Sequence, residues 1–174
     1  MLTYLQNNLG RAFLTSPFRA PLKAWALVPV YVVIALVVGF SSGLLQVEPL
    51  SSKIAFLLPV TLFVFPSLLE EMLFRGILIP RGTAEQGRWI TVRNIALSTA
   101  LFVVWHPANA LAFNHAAIPI FLDPWFLVIV TALGITCGYA YVVSKSLWVP
   151  VLIHWATVVF WVLLLGGRNL VLEL

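Results

Sequence analysis

The chain has 174 residues, 61% of them hydrophobic and 9% charged, with a net charge of +4. A soluble domain carries about 25% charged residues and is roughly half apolar, so a water-soluble fold of this size could not cover so much apolar surface, and disorder needs the opposite composition. The sequence therefore specifies one polytopic, all-α membrane bundle, with no Lys/Arg cluster for nucleic acid and, with Cys137 as its single cysteine, no internal disulfide or cysteine metal cluster.

Residues 1–23 read as an N-terminal interfacial segment. Phe13, Phe18 and Leu22, with Trp25 just beyond, alternate with Arg11, Arg19 and Lys23. The membrane-embedded bundle then runs over residues 24–174. A spanning helix needs about 20 mostly apolar residues, which predicts spans at Ala24–Leu45, Ile54–Ile79, Val92–Phe113, Phe126–Val143 and Leu147–Leu165. The first run is too long for a signal-peptide core and no clear A-x-A site follows it. Asp123–Pro124 is the turn into the fourth span. Ile118 to Leu122 either extends that span or lies at the interface. Ser144–Lys145–Ser146 is short enough to make the last two spans antiparallel neighbours. Gly39–Gly43 and Gly134–Gly138 are both G-x-x-x-G, a pattern of close helix contacts.

Counting Lys and Arg by side orients the chain. With a cytoplasmic N-terminus the inner side holds Arg11, Arg19, Lys23, Arg81, Arg88, Arg93 and Lys145, and the outer side holds Lys53 and Arg168.

An ionised side chain at mid-span costs about 2.5–3.5 kcal/mol on the insertion scale, and such residues mark function by default. Glu70, Glu71 and Arg75 share the second span. Glu71 and Arg75 are i and i+4 with the acid first, the favourable order for a helical ion pair. Glu70 points about 100° away and has no cation in register, which makes it the candidate general base. His106 precedes Pro107, whose missing N–H frees the Val103 carbonyl and makes a place to hold water. His154 lies inside the fifth span, whereas His115 falls in a loop. At 1.5 Å per residue, Glu70 is roughly 15 Å from Pro80, His106 roughly 20 Å from Val92, and His154 roughly 10 Å from Leu147. All three can meet in the inner half or middle of the bilayer.

Glu70–Glu71–Met72–Leu73–Phe74–Arg75 fits E-E-x-x-x-R, Phe102 to His106 fits F-x-x-x-H, and His154 follows near the start of the last span. Over roughly residues 54–165 the chain resembles the CPBP family: CAAX-type intramembrane endopeptidases and bacteriocin-processing or self-immunity proteins, also called Abi proteins. The resemblance implies a helical membrane fold around a polar cavity. It also implies that Glu70 and His106 activate a water, that Glu71 and Arg75 support the site, and that His154 stabilises the oxyanion. It calls for no cofactor or metal, and for a peptide or protein substrate in or at the bilayer. The chain departs from the pattern at Val158, where the third motif usually has asparagine. Thr157, Asn109 and Asn114 are the polar candidates for the lost donor. Three other readings use the same residues: a zinc peptidase with Glu70, His106 and His154 as ligands, a proton-coupled carrier, and a non-catalytic maturation or immunity partner.

Overall fold

A computed structural model describes residues 6–53 and 55–167. Residues 1–5 of the N-terminal segment, Ile54 at the start of the second predicted span, and Arg168 lie outside them.

Residues 6–14 form a short helix, α1, and the long elements follow as α2 (Leu22–Ser42), α3 (Ala55–Ile77), α4 (Arg88–Ala112), α5 (Pro124–Ser144) and α6 (Trp148–Leu164). Among the described residues, α2 to α5 are each long and apolar enough to cross a membrane, while α6 is apolar but has 17 residues. At 1.5 Å per residue that helix is about 26 Å long, shorter than its apolar run suggests. Val33 and Val37 of α2, Leu97, Leu101 and Val104 of α4, and Ile135 of α5 are exposed. Such faces are tolerable against lipid tails and not against water. The protein is an integral membrane protein with an all-α polytopic bundle.

Local chemistry fixes the ends of these helices. Asp123 Oδ1 accepts from the backbone N–H of Trp125 at 2.7 Å and of Phe126 at 3.1 Å, with Pro124 as the first helical residue. This is an N-cap with proline where no N–H is needed. The 118–122 stretch therefore does not extend α5: Ile118–Phe121 is a separate short helix. Lys145, at φ 56°, turns the chain tightly from α5 into α6. The N–H groups of Gln46, Glu48 and Leu50 donate to the carbonyls of Leu165, Leu164 and Leu163, which supplies the end of α6 with donors it would otherwise lack.

The helix α3 is not regular. Pro66 forces Phe65 out of the helical region, to φ −132° and ψ 119°. Pro66 also has no N–H for the carbonyl of Leu62, and Ser67 Oγ donates there instead at 2.8 Å. Two wide π-helical turns, Phe63–Leu68 and Met72–Ile77, flank Leu69–Glu71. Wide turns of this kind are frequent at functional sites.

The two G-x-x-x-G pairs have different uses. A Cβ on Gly134 would lie 2.8 Å from Thr99 Cγ2, and one on Gly138 would lie 3.0 Å from Ile95 Cγ2. These glycines let α5 pack closely on α4. Gly39 and Gly43 make no helix–helix contact of that kind. Gly43, at φ +80°, ends α2, and a Cβ on Gly39 would lie 2.4 Å from the folded-back Leu45. The expectation of a helix interface there is corrected to a helix C-cap.

The N-terminal segment is docked to one end of the bundle. Leu147 N donates to Ala12 O at 3.1 Å, Ser146 Oγ to Thr15 O at 2.6 Å, and Trp148 Nε1 to Phe13 O at 2.7 Å. Buried Asn8 donates to the carbonyls of Gly76 at 2.6 Å and Ile79 at 3.1 Å, and accepts from Arg81 N at 2.5 Å. One side chain thus satisfies the end of α3. Ala12, Ile79, Tyr141, Val142, Leu147 and Val151 form the core beneath it.

Candidate active site

The wide turn after Glu71 carries Arg75 round to meet it. Arg75 Nη1 lies 3.0 Å from Glu71 Oε1, and both side chains are fully buried. Arg75 Nη2 donates to Gly134 O at 3.1 Å, and the guanidinium carbon sits 4.4 Å from the centre of the Phe102 ring. The arginine is therefore held by a carboxylate, a carbonyl and an aromatic face. Phe102 is the common floor of the site: its ring also makes edge contacts with Phe74 at 5.3 Å, with His106 at 4.9 Å and with His154 at 5.7 Å.

His154 Nδ1 lies 2.9 Å from Glu71 Oε1. A carboxylate only accepts, so Nδ1 carries the proton and Nε2 faces away. Nε2 is 3.9 Å from Glu70 Oε2. Glu70 Oε1 accepts from Trp105 Nε1 at 3.0 Å, and Glu70 Oε2 is buried without a hydrogen-bond partner among the described residues. His106 Nδ1 lies 2.9 Å from Phe102 O. A carbonyl also only accepts, which leaves His106 Nε2 as an acceptor. The helix α4 continues through Pro107.

A cavity of about 760 Å³ opens beside these groups. Glu70, Trp105, His106 and His154 line it, together with Asn109, Asn114, Tyr31 and Thr157, and most of its remaining wall is apolar. Glu71 and Arg75 are not part of its lining. The five residues singled out in the sequence therefore divide into two layers. Glu70, His106 and His154 face the cavity, and Glu71 with Arg75 sits behind them, joined through His154. His106 shares the cavity with Glu70 and His154 but forms no hydrogen bond with either among the described residues. Within those residues, no group of three His, Cys, Asp or Glu side chains is arranged to hold a metal ion.

Three further residues belong to the site. Trp105 holds Glu70, Gly134 offers its carbonyl to Arg75, and Tyr31 OH donates to Thr157 Oγ1 at 3.1 Å. Tyr31 and Gly134 carry no sequence signal for these contacts. Trp105 is flagged only by its place beside His106. Val158 also lines the cavity, at the position where the resemblance leads one to expect asparagine. The Thr157 hydroxyl donates to Ile153 O at 2.9 Å, whereas the Asn109 and Asn114 side chains make no hydrogen bond among the described residues. His115 lies on an exposed turn outside the cavity.

No curated protein and no solved structure matches the chain. The family described as type II CAAX prenyl endopeptidase Rce1-like does, over residues 51–160, a stretch that includes all five of these side chains. The chain belongs to this Rce1-like family of CAAX endopeptidases.

Proposed function

We propose that the protein is an intramembrane endopeptidase that hydrolyses a peptide bond of a membrane-associated substrate, with water activated by Glu70 and His106. The observation that carries this reading is the contrast between the two glutamates. Glu71 binds both Arg75 and His154 through Oε1 and stands outside the cavity lining, while Glu70 has no arginine or lysine partner among the described residues and lines the apolar-walled cavity with a carboxylate whose Oε2 has no hydrogen-bond partner there.

In this reading Glu70 Oε2 takes a proton from water, and His106 Nε2 accepts the other water hydrogen and so fixes its direction. The oxygen attacks the carbonyl carbon of the scissile bond, and its electron pair moves onto the carbonyl oxygen. His154, in its imidazolium form and backed by Glu71, donates from Nε2 to that oxyanion. The Asn109 and Asn114 amides are the unengaged polar groups open to supply a second donor in place of Val158. Collapse of the intermediate expels the amine, which takes the proton from Glu70. A cavity of about 760 Å³ is within the usual 300–1,000 Å³ of ligand sites. Its apolar wall suits a lipid-like group beside the cleaved bond, in keeping with the family's description as prenyl endopeptidases.

The Lys/Arg bias gives the N-terminus and the 78–87 connection a cytoplasmic address, with residues 1–23 at the interface and the catalytic bundle over 24–174. The test is purified protein in lipid nanodiscs with a lipid-modified peptide, the products read by mass spectrometry. Cleavage by the wild type and none by Glu70→Gln is expected. Equal cleavage by both would refute the assignment of the base.

A further inference from the structure

At the end of the bundle where the N-terminal segment docks, two arginines converge on one open pocket. Arg11, Leu14, Thr15 and Arg81 line a cavity of about 340 Å³. Arg81 is held in place: Nε donates to Lys145 O at 3.2 Å, Nη2 to Thr15 Oγ1 at 2.8 Å, and its backbone N–H to Asn8 Oδ1 at 2.5 Å. Thr15 Oγ1 in turn donates to Arg11 O at 2.8 Å, which ties Thr15 to the helix turn that carries Arg11.

Neither guanidinium has a carboxylate partner among the described residues. Glu85, on the same end, is engaged by Lys145. Holding two like charges around one pocket is unfavourable unless an anion completes it. Two planar guanidiniums lining one pocket are a donor set that suits phosphate oxygens, and Thr15 serves by holding Arg81 in place.

The surroundings identify the source of the phosphate. Leu14 is 87% exposed, Phe18 97% and Leu22 90%, all on the stretch that also carries Arg11, Arg19 and Lys23. Apolar side chains exposed beside cations fit the boundary between headgroups and acyl chains. A free phosphate ion has no use for them. A phospholipid fills the charged pocket with its phosphodiester and covers the apolar side chains with its tails.

We infer that Arg11 and Arg81, the latter held by Thr15, form a binding site for the phosphate of an anionic glycerophospholipid. The site is separate from the cavity that holds Glu70 and does not depend on the hydrolytic reading. Its occupancy clamps α1 against the α5–α6 turn and, through Asn8, against the end of α3.

The test uses the full chain in nanodiscs of phosphatidylcholine with and without phosphatidylglycerol. Retained lipid is counted by native mass spectrometry, and the melting temperature is measured in parallel. Wild-type protein should retain phosphatidylglycerol preferentially and melt higher with it. One basic residue near an anionic surface changes binding by about five-fold, so Arg11→Gln should lose retention by about that factor. Its guanidinium makes no hydrogen bond or ion pair among the described residues, so the variant still folds. Arg81→Gln should lose at least as much, and Arg19→Gln, outside the pocket, should lose nothing. Equal losses for Arg11→Gln and Arg19→Gln would mean diffuse attraction to the surface and overturn the site. Inorganic phosphate raising the melting temperature in phosphatidylcholine discs as much as phosphatidylglycerol does would overturn the lipid assignment.

Discussion

Glu71 Oε1 is shared between Arg75 Nη1 at 3.0 Å and His154 Nδ1 at 2.9 Å. One carboxylate oxygen therefore ties the second predicted span to the last. It neutralises a buried arginine, and it fixes the tautomer of the histidine that faces the cavity.

The two glutamates should fail in different ways. Glu71→Ala leaves Arg75 buried and unpaired, which costs about 3–5 kcal/mol. It also frees His154. The expected result is a large fall in melting temperature in detergent together with loss of cleavage. Glu70→Gln keeps the Trp105 contact, because a side-chain amide oxygen still accepts. Its melting temperature should stay near wild type, while the rate falls about 10²–10⁴-fold. Equal thermal shifts for the two variants would remove the division of roles.

Exhaustive chelation should leave cleavage intact. No group of three His, Cys, Asp or Glu side chains is arranged to hold a metal ion among the described residues, and Glu70 with His106 supplies the acceptors that water activation needs. Activity lost on chelation and restored by stoichiometric zinc, with metal content measured, would turn Glu70, His106 and His154 into ligands.

The parts legible in the sequence are those governed by near neighbours. Each long helix follows a continuous apolar run, Asp123–Pro124 carries its own cap, and Glu71–Arg75 follows from the turn of a helix. The Rce1-like match covers residues 51–160, the stretch that holds the short motifs. What stayed hidden depends on residues far apart in the chain. Trp105 reaches Glu70 across 35 positions and Asn8 reaches Gly76 across 68, and no local pattern encodes either. The break at Phe65 shows the intermediate case. Pro66 was visible inside an apolar run, but the hydroxyl of Ser67 that replaces its missing N–H and keeps α3 intact appears only in three dimensions. Gly39–Gly43 and Gly134–Gly138 look alike in sequence, and only the positive φ of Gly43 and the packing of Gly134 against Thr99 separate cap from interface.

Orientation has a direct test. Seven Lys/Arg residues at one set of ends against two at the other predict a cytoplasmic 78–87 connection. In a Cys137→Ala background, Gln86→Cys is exposed in position and should react with an impermeant thiol reagent only after the membrane is opened. Labelling of intact cells from outside would invert the topology.

Gly134→Ala should be costly for a reason specific to this packing. The new Cβ would meet Thr99 Cγ2 at 2.8 Å and Phe102 Cδ1 at 3.4 Å, and Thr99 is β-branched and stiff. Overpacking of this kind costs about 1–3 kcal/mol. It should also disturb the Phe102 ring on which Arg75 rests. Thr99→Ser removes the clashing methyl, so the double variant should recover most of the lost melting temperature. An additive double variant would mean that the two residues do not compete for the space.

Trp105→Phe tests whether the indole N–H positions the base. The substitution keeps an aromatic ring, so packing near Phe113 is largely preserved, and it removes the hydrogen bond to Glu70 Oε1. A carboxylate that has lost one of its fixed contacts samples more orientations, so the water it holds is less often in line for attack. Loss of a charge-assisted hydrogen bond is worth about 1.5–3 kcal/mol, which corresponds to roughly a ten-fold to hundred-fold fall in kcat. KM should change little if Trp105 acts through Glu70 rather than on the substrate. A fall in melting temperature that tracks the fall in rate would mean that Trp105 is only packing. A raised KM with unchanged kcat would mean that the indole touches the substrate directly, and Glu70 would then owe its orientation to the backbone of α3 alone.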